Sequence, residues 1–512
     1  MKATLLLAAT ALSLITMPCV SGVDMVPTQP ATAPNYFCPW AVQGYMYGIG
    51  APNINVEALE SGQYTICMNA NTEDHVFGPQ GWAKTFFPQV RKDLYFLMDD
   101  GYESGGKSSM ELDVKKFPSF SGSPPERLKS LSKAVQNEGW RGLALFCRDT
   151  PKTIDEITPL LQWSKDAGVL YWKIDGGDED YSVQHLKQTV YPELVLEHAG
   201  AMGPLDGDWQ HDGRFAAQHW SPNRKQRLCN SDVDRIYDIT PFLSVPTTLD
   251  RLAQMLNGVQ GHPEATALIN CEDEVYMAAA MGCTMGVMRF PLVGLRPNGD
   301  PDLFFAGPRQ AKRRMDEVVR ALHWERIAEP FAAGNGYVIL DSNILTDDWV
   351  YQPGETWETK AIGKDVKQGA PARISRNLPL PTVVAEGELP FVLAARFPND
   401  AVAVCTLERT LKDNAWFMPP ADVTVNVADA KGPFGVFGHY RNLTFQMNEP
   451  PHNVHVWAQD LAGTSAEDVT QRIHIDGTTI TIPGSLIDKI GTQAATPGDL
   501  SDPGIVLKIE KL

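Results

Sequence analysis

Ala167-Gly-Val-Leu-Tyr-Trp-Lys-Ile-Asp175 is the stretch from which the rest of the chain is read. Five of the six residues from Val169 to Ile174 are hydrophobic or aromatic, the pattern of a strand buried on both faces of a parallel sheet. The run breaks at Asp175, and Gly176-Gly177 follows. A carboxylate where a buried strand opens into a loop is where a (β/α)8 barrel carries its chemistry. It is also a residue type that caps the next element. A second run, Asp93-Leu-Tyr-Phe-Leu-Met-Asp-Asp100, has the same character and ends in paired carboxylates before Gly101-Tyr102-Glu103.

Working outward, strand-like and helix-like runs alternate from about residue 36 to 330, which predicts a parallel α/β sheet. Eight strands are expected: within Tyr36 to Tyr47, at Leu94–Met98, Gly142–Cys147, Val169–Ile174 and Glu193–Glu197, near Arg235–Ile239, and at Ala265–Asn270 and Gly286–Arg289. Helix ends punctuate them. Ser123-Pro124-Pro125-Glu126 offers an N-cap and first-turn prolines, and Gly168 stops the helix that begins after Pro151. Eight strands, each followed by a helix or long loop, make a closed barrel better than an open sheet. After Pro330 the text changes to short β-like runs, among them Phe391–Ala395, Ala401–Cys405, Val423–Val427, Val454–Trp457, Thr479–Ile482 and Ile505–Ile509. They predict a C-terminal antiparallel β-sandwich. The expected divisions are a signal peptide over residues 1–22, a barrel over 23–332 and the sandwich over 333–512.

The leader assignment rests on Lys2, the apolar run Leu5 to Ile15 and the small residues Val20-Ser21-Gly22. Met17-Pro18 before Cys19 is a poor match to a lipidation site, so export to the periplasm or the medium is expected. No other apolar run is long enough to span a bilayer. A formal net charge of −18 disfavours nucleic acid and anionic membranes as partners and suits a neutral substrate. Beyond the leader, the cysteines at 38, 67, 147, 229, 271, 283 and 405 contain no Cys-x-x-Cys pair, so zinc and iron–sulfur sites are not expected. A disulfide between Cys38 and Cys67 stays open in an exported chain. Cys147, Cys271, Cys283 and Cys405 read as buried thiols.

The order Asp99-Asp100, Glu111-Leu-Asp113, Lys116-Phe-Pro-Ser119 and then Trp172-Lys-Ile-Asp175 resembles the α-galactosidase clan, glycoside hydrolase families 27 and 36. The likeness covers roughly residues 36 to 330. It implies a retaining, exo-acting glycosidase on a barrel followed by a β-domain, with a carbohydrate substrate and no cofactor or metal. Asp175 stands where that clan carries its nucleophile, two residues after a Lys, here Lys173. Asp238, in Cys229-Asn-Ser-Asp-Val-Asp-Arg-Ile-Tyr-Asp238, stands where the clan carries its acid/base. There is a departure: the clan's Arg precedes that acid by four residues, and Arg235 precedes Asp238 by three. Either a strand bulge absorbs the shift, or Asp234 or Asp232 is the acid. The resemblance makes Asp99, Asp100, Lys173, Glu197 and Arg235 contacts of the glycone. At the seventh strand end, Asn270-Cys-Glu-Asp273 lacks the clan's Trp and Pro, which leaves Glu272 as a substrate contact or a helix cap.

The activity that the resemblance implies sets a chemical requirement of its own. Cleaving a glycosidic bond takes two carboxyl groups on opposite sides of it, so acids from different strand ends are needed. Asp175 and Asp238 lie about two βα units apart. Lys173 points to the same side of its strand as Asp175 and favours its ionised form. Paired acids such as Asp99-Asp100 can grip neighbouring sugar hydroxyls or form a solvated turn. Trp40, Tyr102, Trp209 and Trp220 are candidate stacking platforms or packing residues. The acids in Asp175-Gly-Gly-Asp-Glu-Asp180 do not have the spacing of a calcium loop, and no Gly-x-Ser-x-Gly elbow is present. The alternatives to α-galactosidase-like action are N-acetylgalactosamine or arabinopyranose as the sugar removed, or carbohydrate binding without turnover. Sequence does not address oligomeric state.

Overall fold

The computed structural model describes residues 22–47, 67–104, 109–147, 153–174, 181–202, 228–237, 244–291, 314–334, 336, 343–347, 371–412 and 415–511. A closed barrel is formed by β1 (Asn35–Phe37), β2 (Leu94–Met98), β3 (Gly142–Cys147), β4 (Val169–Ile174), β5 (Val195–Met202), β6 (Val233–Tyr237), β7 (Leu268–Glu272) and β8 (Thr284–Val287). All pairings are parallel, and β8 returns to β1. Helices α1 (Trp40–Tyr47), α2 (Pro124–Asn137), α3 (Ile154–Ala167), α4 (Tyr181–Val190), α5 (Ser244–Val259), α6 (Val275–Met281) and α7 (Met315–Glu325) alternate with the strands. The chain therefore folds as the (β/α)8 barrel expected of it.

Strands β2, β3 and β4 have the bounds read from their apolar runs. The first strand, expected within Tyr36 to Tyr47, begins one residue earlier and ends at Phe37, and α1 takes most of the remaining span. Pro39 has no N–H for the ladder, so pairing stops, and the proline opens α1, where Gln43 N donates to its carbonyl at 2.8 Å. At the end of α3, Gly168 adopts φ 71°, the left-handed C-cap conformation that glycine takes without a Cβ penalty.

Side chains alternate between the two faces of each barrel strand. One set fills the lumen: Tyr36, Cys38, Tyr95, Leu97, Ala144, Tyr171 and Val233 pack together. The other set meets the helices. Trp172, for example, is fully buried and its indole N–H donates to Ser164 Oγ on α3 at 3.0 Å. Gly286 on β8 leaves room for Tyr36, whose hydroxyl oxygen would lie 2.5 Å from a Cβ at that position.

Beyond the barrel lies a two-sheet sandwich. Its strands are β9 (Ile344–Thr346), β10 (Arg373–Arg376), β11 (Thr382–Ala385), β12 (Phe391–Arg396), β13 (Val402–Leu407), β14 (Thr410–Lys412), β15 (Ala415–Phe417), β16 (Ala421–Ala428), β17 (Phe434–Phe437), β18 (Asn442–Met447), β19 (Val454–Asp460), β20 (Glu467–Asp468), β21 (His474–Asp476), β22 (Thr479–Pro483) and β23 (Gly504–Lys511). One sheet runs β20-β19-β23-β17-β13-β12-β10-β9 and the other β11-β16-β18-β22-β21, while β14 and β15 pair with each other as a separate ribbon. Most pairings are antiparallel, as expected; β10–β12, β13–β17 and β16–β18 are parallel. Val392, Val404, Val423, Val425, Phe445 and Ile480 pack between the sheets. Their alternation with exposed residues along β16 (buried at 421, 423, 425 and 427) is the period-two signal that made this strand legible.

The barrel and sandwich share a core rather than a linker. Trp324 on α7 packs edge-on against Phe397 and Phe437 of the sandwich. Arg320, also on α7 and fully buried, pairs with Asp460 at 2.9 Å. Among the described residues no helix is long and apolar enough to cross a membrane.

Candidate active site

The polar layer of the lumen joins Asp99, just after β2, with Lys173 and Glu272 near the ends of β4 and β7 and with Glu197 and Arg235 from within β5 and β6. On β2 the chain turns at Asp99, which keeps the inward parity of Tyr95 and Leu97. Its carboxylate lies 3.2 Å from Lys173 Nζ and accepts from Cys38 Sγ at 2.9 Å. Lys173 on β4 also lies 3.4 Å from Glu272 Oε1 on β7. Glu272 Oε2 accepts from Arg235 Nη1 on β6 at 2.9 Å. Arg235 Nε in turn lies 2.9 Å from Glu197 Oε1 on β5, and Tyr171 donates to Glu197 Oε2 at 2.5 Å. The result is a ladder of alternating charge, Asp99–Lys173–Glu272–Arg235–Glu197, each rung nearly excluded from solvent.

Such a layer is costly to bury unless each charge is matched, and its titration reflects that balance. Burial pushes the Glu197 carboxyl up to about 7, against the pull of Arg235 and the Tyr171 hydrogen bond. Burial presses on Lys173 in the opposite sense, but Asp99, with Cys38 and Glu272, outweighs it and holds the ammonium well above its ordinary value. The Cys38 thiol is driven up by burial and by Asp99. At the mouth of β2, burial and then the Asp100 charge raise Glu103 to about 7.

The sequence-derived candidates divide sharply. Asp99, Lys173, Glu197, Arg235 and Glu272 meet in one layer. Asp100 is buried beside them; its N–H donates to Asp99 Oδ1 at 2.8 Å and its carbonyl accepts from Gln43. Asp175 and Asp238 lie outside the described residues, as do Trp209, Trp220 and the acids of 175–180.

Both alternatives to Asp238 are displaced from the lumen. Asp234 neighbours the inward Arg235 and so points the other way, paired in register with His198 of β5. Asp232 precedes β6 at the opposite end of the barrel. There it pairs with Lys187 of α4 at 2.5 Å and accepts from Leu196 N at 2.8 Å. A cavity of about 470 Å³ lined by Gln184, His185, Cys229, Asn230, Ser231 and Asp232 also opens at that end, away from the charge ladder.

Other expectations are corrected by the packing. No disulfide joins Cys38 to Cys67, and Cys38 bonds Asp99 instead of a second sulfur. Tyr102 is no platform: it is buried, and its hydroxyl donates to Phe146 O at 3.2 Å. Glu272 does not cap α6, because its two oxygens face Lys173 and Arg235. Two further polar residues stand apart from the ladder: His198 contacts Ser231 Oγ at 3.2 Å on the helix side of the sheet, and Arg289 pairs with Asp273 and, at 2.5 Å, with Glu317 of α7.

Some supports had no sequence signal. Asn71 donates to the Asp99 carbonyl at 2.6 Å and Gln43 to that of Asp100 at 3.0 Å, fixing the acid pair from behind. Tyr36 and Tyr171 hold Glu197 from below. Among the described residues no group of three or more His, Cys, Asp or Glu is arranged to hold a metal ion.

No protein-family model matches the chain, and no curated protein matches it. Among solved structures it is similar to a glycoside hydrolase family 27 β-L-arabinopyranosidase of Geobacillus stearothermophilus, with 11% identity over 86% of this chain and 92% of that one and a TM-score of 0.38. A second structure of that enzyme, a variant with arabinose bound, matches at 10% identity over 86% of this chain and 94% of that one, TM-score 0.39. A glucosidase from Croceicoccus marinus matches at 9% identity over 82% of this chain and 90% of that one, TM-score 0.31. The clan whose motifs the strand ends resemble thus includes the family of the first two. At such identities and TM-scores these likenesses carry nothing about what this chain does.

Proposed function

We propose that the chain is an exported, exo-acting glycoside hydrolase of α-galactosidase-like type that works with retention. One observation supports this above the others. Asp99, Lys173, Glu197, Arg235 and Glu272 meet in one polar layer, and Asp99, Lys173 and Glu272 stand at the strand ends where such folds do their chemistry. Asp175 follows Lys173 by two residues and Asp238 follows Arg235 by three, so each proposed carboxyl continues from a strand that carries one of the layer's cations. In this reading Asp175 attacks the anomeric carbon and forms a glycosyl-enzyme. Asp238 first protonates the leaving oxygen and then deprotonates the incoming water. Asp99, Asp100 and Lys173 hold hydroxyls of the sugar. Export rests on the leader-like residues 1–22.

A binding protein without turnover is the second reading. It draws on the closure of the ladder: Lys173 and Arg235 are each matched by two carboxylates before any sugar arrives. Turnover of aryl α-galactosides, with aryl α-N-acetylgalactosaminides and β-L-arabinopyranosides alongside, separates the two. Wild-type hydrolysis that disappears in Asp175→Ala supports the enzyme. Equal hydrolysis by both proteins removes Asp175 as nucleophile. Sugar binding without hydrolysis of any substrate supports the binding protein.

A further inference from the structure

Glu272 bonds both cations of the ladder at once. One oxygen lies 3.4 Å from Lys173 Nζ on β4 and the other 2.9 Å from Arg235 Nη1 on β6. Asp99 touches only the first of these cations within the ladder, and Glu197 only the second. The two strands are not hydrogen-bonded to each other, since β5 stands between them. The β5–β6 ladder stays in register through the Ala199–Arg235 pair and shifts just beyond it, before Met202. Backbone pairing therefore ties β4 to β6 only through β5, and it loosens just past the layer, toward the strand ends. A side chain reaching from β7 across the lumen supplies the missing constraint. The local sequence explains its direction: Glu272 shares the inward parity of Leu268 and Asn270, while Ile269 and Cys271 pack outward against the helices.

We infer that Glu272 is a positioning residue that sets the separation of the C-terminal ends of β4 and β6, a role that rests on the glycosidase reading and deepens it. Retaining glycosidases hold their carboxyl groups about 5–5.5 Å apart and inverting ones about 6.5–9.5 Å apart. A shift of an ångström or two between these strand ends thus decides whether the acid can assist departure of the leaving group. Asp99, Lys173, Arg235 and Glu197 are the charged groups that face Glu272 through the ladder.

The experiment compares wild type with Glu272→Asp, one methylene shorter with its charge kept, and Glu272→Gln, equal in length with its charge lost. Kinetics are measured on aryl glycosides of graded leaving-group ability. Both variants are expected to lose about 10- to 100-fold in kcat, as an ångström-scale misplacement does, with KM within about threefold of wild type. The loss should be largest for poor leaving groups, which depend most on protonation. A folded variant with wild-type kcat and wild-type leaving-group dependence overturns the inference. So does a failure of both variants to fold cooperatively, which makes Glu272 a residue of the fold alone. Absence of hydrolysis by the wild-type chain removes the functional reading itself, a result distinct from either.

Discussion

Lys173 and Glu272 face each other across the barrel lumen, from β4 and β7, with Nζ and Oε1 3.4 Å apart. This contact turns two local ion pairs, Lys173–Asp99 and Arg235–Glu272, into one ladder. Its energetic meaning lies in what remains when a rung is removed.

Lys173→Met leaves Asp99 and Glu272 buried without their shared cation. Removing one partner of a buried pair costs about 3–5 kcal/mol, and that loss is expected in urea unfolding. Lys173→Arg keeps the charge and should cost clearly less. Equal stability of Lys173→Met and wild type would mean that the ladder does not stabilise the fold.

Glu197 gives the barrel a pH signature. Its carboxyl is held up to about 7 by burial, against an ordinary value of 4.5. The folded state therefore keeps this proton where the unfolded chain has released it. The contribution is fully present below pH 4.5 and falls as pH rises through about 7. Glu197→Gln should flatten the decline in unfolding free energy over that window. A profile unchanged by the substitution would show that Glu197 is ionised at lower pH than its burial implies.

Asp232 separates structure from catalysis. It anchors Lys187 and the Leu196 amide at the end of the barrel opposite the ladder. Asp232→Asn should lower stability by about 1–2 kcal/mol through weakened charge-assisted bonds and leave kcat and leaving-group dependence unchanged. Loss of activity in a stable Asp232→Asn protein would return Asp232 to the list of acids.

His439 ties the sandwich together on its surface, with Nδ1 2.8 Å from Asp488 and Nε2 3.3 Å from Asp502. Burial works to lower its pKa, but the two carboxylates prevail and raise it to about 10. The side chain is 43% exposed, so solvent weakens the effect. The sign is nonetheless fixed: the stabilisation is complete below about pH 6.5 and is lost as pH rises through about 10. His439→Gln should remove this alkaline decline in melting temperature, which a melting series from pH 6 to pH 10.5 measures.

Much of the barrel was legible because a strand buried on both faces must be apolar along its length. β2, β3 and β4 announce themselves in this way, and the acids that follow β2 and β4 stand out. The sandwich was legible where period two survives, as in β16. It was not legible at β10, with its polar Arg373 and Ser375, or in the short β17. The disulfide reading of Cys38 failed because spacing cannot show that its sulfur meets Asp99, a residue from the next strand.

The sequence by itself determined the class of fold and the strand ends at which charge collects, since hydrophobic periodicity and loop chemistry are local properties. Which of Asp232, Asp234 and Arg235 enters the lumen was settled only by the register of β6, where a one-residue step reverses the face. That Glu272 joins Lys173 to Arg235 was likewise decided by closure of the barrel, which brings strands distant along the chain within a side chain's reach.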